Sequence, residues 1–139
     1  MVDLMQGVSG SISVRASNFS RKSASFSNLL VMPNIKPPVR TVEDAEAYRS
    51  RILDAAKSKC CVAPNLLMTL YLTDTTTPEE IVKVKQSGFV KALKLYPAGA
   101  TTNSEFGVTS YGNIQEVLRK MADLQIPLLD FFVMDIVDQ

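Results

Sequence analysis

The sequence predicts an α/β fold built on parallel strands. From residue 29 onward, short apolar runs alternate with amphipathic stretches in the order strand, helix, strand, helix, strand, helix, strand. That alternation argues for helical crossovers between parallel strands. The chain has 139 residues, 46% of them hydrophobic and 21% charged, which suits one ordinary domain with a modest core. The polar residues that punctuate the pattern are Asn34, Asp74 with Thr75 to Thr77, and Lys94 with Thr101 and Thr102. They fall at or just beyond carboxyl ends of strands, where parallel α/β folds place their sites. Two closures fit, an open doubly wound sheet or a β/α barrel, and no Gly-rich phosphate fingerprint follows any strand.

Residues 1–28 stand apart. They hold eight serines, three basic residues (Arg15, Arg21, Lys22) and one acid, Asp3. This composition resembles an organelle transit peptide, and a poorly ordered terminus is the plainer reading. The domain proper is expected over 29–139.

Its first strand is Leu29 to Met32, closed by Pro33-Asn34. Pro37-Pro38 then enforces an extended loop, since each proline restricts its own φ and the residue before it. Thr41 reads as a helix cap with Glu43 and Asp44 in the first turn. Ala45, Tyr48, Ile52, Ala55 and Ala56 recur at helical spacing, to about Lys57. Leu66 to Leu72 is the second strand. Thr77-Pro78-Glu79-Glu80 is the stronger helix start, with a capping Thr, Pro at the first helical position and Glu three residues on. Gly88 should end that helix. The third strand carries Lys94. A loop rich in Gly, Thr, Asn and Ser runs from Ala98 to about Gly112, and Ile114, Val117, Leu118, Met121 and Leu124 form the stripe of a third helix. Leu128 to Val133 is the fourth strand.

Several function classes find no support. A net charge of +1 points to neither nucleic acid nor acidic membranes. No apolar run approaches the roughly 20 residues that span a bilayer. The only two cysteines, Cys60 and Cys61, are adjacent, which suits free thiols in a reducing compartment better than a disulfide or zinc site. There is no histidine, the commonest metal ligand and proton shuttle.

Lys94 is the most informative residue. Strand residues alternate faces, so Leu93 and Leu95 point one way and Ala92, Lys94 and Tyr96 the other. A lysine on a face that should be buried costs several kcal/mol unless its charge is removed or paired. Carboxylation of the amine is one way to remove it; snorkelling out at the strand end is the alternative. Asn34 could bind a carboxylate or simply serve the turn. Thr101-Thr102-Asn103 reads equally as an ordinary loop or as a lid with hydroxyl donors. Asp74 reads first as a helix cap. Asp130, Asp135 and Asp138 have no metal-site spacing.

Together these residues say more. Val31 to Pro38 (VMPNIKPP), Leu67 to Asp74 (LMTLYLTD), Lys94 to Ser104 (KLYPAGATTNS), Gly107-Val108-Thr109 and Pro127-Leu128-Leu129 occur in order. The set closely resembles dihydroorotase of the single-function type of bacteria and plants, in the amidohydrolase superfamily. It covers about residues 29 to 129. The resemblance implies a partial TIM-type (β/α)8 barrel, about its first four β/α units. It also implies a zinc-dependent hydrolase interconverting carbamoyl aspartate and dihydroorotate, the third step of pyrimidine synthesis. In that family Lys94 matches the carboxylated lysine bridging two zinc ions, Asn34 an asparagine that helps hold the substrate carboxylate, and Thr101 and Thr102 a mobile loop that closes over substrate. A metal-bridging hydroxide is a strong nucleophile at neutral pH, and metals polarise the amide carbonyl.

The chain also departs from the pattern. The family opens its barrel with a His-x-His pair and a substrate-binding Arg; Asp3-Leu4-Met5 corresponds to the segment just after them, and residues 20–28 resemble an insertion. Phe131 stands where the family has a His, and the later His and the Asp that serves as ligand and base have no counterpart. Lys94 alone remains of the metal ligands, so the expectation is a truncated, catalytically incompetent chain that binds no zinc. Its uncovered strands should favour self-association or pairing with a full-length dihydroorotase. In plants the family is expected in a mitochondrion or plastid, and in bacteria in the cytoplasm.

Overall fold

The computed structural model describes residues 28–58, 64–100 and 102–130. The elements are β1 (Asn28–Val31), α1 (Val42–Ser58), β2 (Asn65–Leu72), α2 (Pro78–Ser87), β3 (Val90–Leu95), a 3-10 turn (Tyr111–Ile114), α3 (Gln115–Asp123) and β4 (Leu128–Asp130). The expected alternation is therefore present. β1 starts at Asn28, one residue earlier than the sequence suggested, and β4 is described only to Asp130. Residues 1–27, Cys60-Cys61 and Phe131 to Val133 lie outside the described residues.

The four strands form one parallel sheet in the order β1-β2-β3-β4. A doubly wound sheet reverses its strand order at a switch point, and this one does not. Sequential order curls the sheet in one sense as a barrel does, so the architecture is a partial β/α barrel.

One face of the sheet carries the core. Leu66, Met68, Leu70 and Leu72 of β2 and Leu93 and Leu95 of β3 pack with Ala45 of α1, Ile81 and Val84 of α2, and Val117 and Met121 of α3. Each fully buried Leu or Ile there contributes roughly 1.5–3 kcal/mol. The register explains how every helix reaches that one layer. Met68 pairs with Val90 but Thr69 with Ala92, so Lys91 is an extra residue, a bulge. The bulge keeps Val90 beside Met68 in the core and still aligns Leu93 and Leu95 with Leu70 and Leu72.

Local chemistry sets the helix ends. Thr41 and Asp44 cap α1 reciprocally: Asp44 N donates to Thr41 Oγ1 (3.1 Å) and Thr41 N to Asp44 Oδ2 (3.2 Å). At α2, Thr77 accepts from Glu80 N, Pro78 opens the helix, and Gly88 closes it at φ 72°, a left-handed conformation that glycine adopts without strain. The Glu80 carboxylate does not turn back to Thr77. It accepts from Val42 N (2.6 Å), satisfying the start of α1 instead. Lys85 Nζ reaches the Leu124 carbonyl (2.8 Å) just past the end of α3.

Candidate functional site

The opposite face of the sheet is the inner face of the partial barrel. Parallel partners share a side, so the register Leu30–Leu67, Thr69–Ala92, Tyr71–Lys94 and Lys94–Leu129 puts these residues there. Lys94 thus lies on the face opposite Leu93 and Leu95, as the alternation requires. It is half-buried. Its Nζ donates to the Asp130 carbonyl on β4 (3.1 Å) and lies 5.4 Å from the centre of the Tyr96 ring. Burial pushes the amine below the ordinary lysine range, and the nearby Asp130 carboxylate offsets part of that.

Two tyrosines build the floor. Tyr71 is fully buried and Tyr96 nearly so. Their rings lie 5.0 Å apart at 34°. Burial pushes both phenols up to about 12, so both hydroxyls stay protonated at neutral pH. The Tyr71 hydroxyl donates to the Asn103 carbonyl (3.1 Å), and Asn103 Nδ2 donates to the Asn34 carbonyl (3.0 Å). The loop after β1, the carboxyl end of β2 and the loop after β3 therefore meet at Asn103. Alongside, Lys36 pairs with Glu105 (3.2 Å), and the Arg40 guanidinium stands 6.0 Å from the Phe106 ring.

The Asn34 segment is anchored from behind: Val39 N donates to Pro33 O (3.0 Å) and Tyr71 N to Val39 O (2.7 Å). The loop after β3 returns beside its own strand, where Val108 N bonds Tyr96 O (2.9 Å) and Ala98 N bonds Val108 O (3.0 Å). Gly107 makes this return feasible. A Cβ there would collide with Tyr96 O and come within 2.9 Å of Ala98 N. Asp74 is not the cap of α2, a role that Thr77 fills. It accepts from Thr109 N (3.1 Å) and Thr109 Oγ1 (2.5 Å), tying the loop after β2 to the loop after β3. Those bonds, the Thr109 hydroxyl first, hold its carboxyl below the usual range.

Of the residues the sequence singled out, Asn34, Thr102 and Lys94 thus sit in or beside this cluster, and Thr101 lies outside the described residues. Tyr71 and the pivot role of Asn103 were missed. Strand alternation from Thr69 places Tyr71 on the inner face, but nothing local shows which loop folds over it.

Among the described residues no three of His, Cys, Asp and Glu gather into a metal-holding group, and the sequence has no histidine. These residues do not fit a two-zinc centre.

No protein-family model matches the chain. Curated proteins do. A dihydroorotase of Synechocystis sp. is 58% identical over 104 residues, covering 75% of this chain and 30% of the relative. One from Laribacter hongkongensis is 60% identical over the same length, again 30% of the relative. Among solved structures, the crystal structure of Saccharomyces cerevisiae dihydroorotase in complex with 5-fluoroorotic acid matches at TM-score 0.66 and 28% identity, over 75% of this chain and 28% of that one. The chain spans about 30% of the length of the curated relatives it matches. The motifs, the sequential parallel sheet and these matches agree: the chain belongs to the dihydroorotase family.

Proposed function

We propose that this chain carries the substrate-holding quarter of a dihydroorotase site, for carbamoyl aspartate and dihydroorotate, and that alone it binds the substrate carboxylate without turning it over. The convergence of Asn34, the loop bearing Thr101 and Thr102, and Lys94 at the carboxyl ends of adjacent parallel strands supports this reading. Asn34 supplies a carboxamide for the carboxylate, and Thr101 and Thr102 supply hydroxyl donors from the segment that follows β3 in sequence. Lys94 occupies the carboxylated-lysine position, but with no histidine in the chain it remains an uncarboxylated amine. Catalytic zinc ordinarily takes about three protein ligands. Elemental analysis and a dihydroorotate hydrolysis assay on the purified chain test the reading. Near-zero zinc and no turnover are expected; turnover with one or two zinc ions per chain would overturn it. Among the described residues no helix is long and apolar enough to cross a membrane. The organelle destination proposed for a plant host rests on residues 1–28, nearly all outside the described residues.

A second reading has its own observation. The outer edges of β1 and β4 pair with no described strand. Leu30 and Met32 near one edge, and Leu128 on the other, are 45%, 36% and 36% exposed. We propose that these edges pair with a second copy or with a full-length dihydroorotase.

A further inference from the structure

We propose that Asn103 is a positioning residue for Asn34, held in place by Tyr71; the proposal rests on the reading of Asn34 as the carboxylate-holding residue. Three observations carry it. First, Asn103 takes φ 56°, a left-handed conformation that asparagine tolerates better than most residues. That conformation lets it use both of its ends, the carbonyl toward Tyr71 and the carboxamide toward Asn34. Second, Tyr71 is a fixed donor. It is fully buried, packed at a tilt against Tyr96, and protonated at neutral pH. Its hydroxyl therefore fixes where the Asn103 backbone lies.

Third, the loop between β1 and α1 is tied down unevenly. Val39, near its far end, is buried and bonded to both Pro33 and Tyr71. Asn34 lies at the near end, where the Asn103 carboxamide reaches its carbonyl from 69 positions away in sequence. The flanking Lys36–Glu105 pair has side chains 68% and 49% exposed, and such pairs contribute little. The orientation of the Asn34 side chain then depends on the Asn103 link.

The test uses the full chain and N-carbamoyl-L-aspartate as probe. Asn103→Gly suits the left-handed backbone and keeps the carbonyl bonded to Tyr71, so it removes the carboxamide alone. Asn103→Asp keeps the shape but turns an acceptor toward the Asn34 carbonyl. Binding is followed by NMR titration, and amide exchange is read at Asn34 and Ile35, with Leu70 and Leu93 as internal controls. Asn103→Gly should weaken binding by about 5- to 10-fold, the size of one hydrogen bond, and Asn103→Asp by at least as much. Exchange should quicken at Asn34 and Ile35 and stay unchanged at the controls. Wild-type affinity in Asn103→Gly would overturn the proposal. So would weaker binding with unchanged exchange, which would make Asn103 a direct ligand contact. If the wild type itself binds no carbamoyl aspartate, the functional reading fails. Exchange alone then decides: faster exchange at Asn34 and Ile35 upholds the positioning role, and unchanged exchange overturns it.

Discussion

Lys94 is where the physical demands on this chain conflict. Its strand places it on the inner face, its burial disfavours the charged form, and a carbonyl and an aromatic ring are among its partners. A lysine whose folded-state pKa is depressed opposes folding while it is charged. That opposition is fully present below the folded pKa and is relieved as pH rises through the folded and then the unfolded value. Replacing Lys94 with Met removes the charge and loses one hydrogen bond of about 1 kcal/mol. Thermal melts should therefore show a change within about 1 kcal/mol at neutral pH. Relative to the wild type, Lys94→Met should look progressively worse as pH is raised toward the lysine range, since the wild type sheds its penalty there. A gap that instead narrows in the variant's favour with rising pH would mean that the Lys94 charge is stabilised in the fold.

Glu80 shows what a whole element owes to a distant one. Its carboxylate reaches Val42 N at 2.6 Å, so the start of α1 is satisfied from α2, while Lys83 links Glu80 and Glu43 from the solvent side. Removing a cap of this kind costs about 0.5–2 kcal/mol, and a charge near a helix N-terminus adds to it. Glu80→Ala should lower stability by about 1–2 kcal/mol in urea unfolding, and Glu80→Gln, which keeps the oxygen, by less than half of that. Equal losses would place the effect in the Lys83 pairs. The contrast marks what the sequence could tell. The Thr77-Pro78 start, the Gly88 stop and the apolar stripes were legible because they depend on neighbours a few residues away. Glu80 read as half of a local capping box, and Asp74 as a cap, because their true partners lie 38 and 35 residues off. The same limit hid Tyr71, whose hydroxyl partner Asn103 is 32 residues on. Asn34 and Lys94 were singled out because a polar residue at the end of an apolar strand stands out without any tertiary knowledge.

At the scale of the whole molecule, the helix-side core and the inner face are unequal partners. The core joins the sheet to the three described α-helices. The inner face is covered at its mouth by the Asn103 region and left open toward β1, where Leu30 is 45% exposed. Parallel strands have a direction, which restricts what can close such a sheet. A copy related by a two-fold along the barrel axis presents its β4 edge, pointing the same way, to the β1 edge of the first. Two such contacts would make an eight-stranded ring in which no edge is left. Net charge of +1 opposes this little. Light scattering on the purified chain should therefore show dimers or larger species at tens of micromolar, on the order of ordinary weak interfaces. Leu30→Lys, an inner-face change at that edge, should shift the population toward monomer. Because Leu30 is exposed, the variant's stability at high dilution should change by no more than about 0.5 kcal/mol. A wild-type chain that stays monomeric would remove the self-pairing reading, and a Lys variant that assembles equally well would place the contact on another surface.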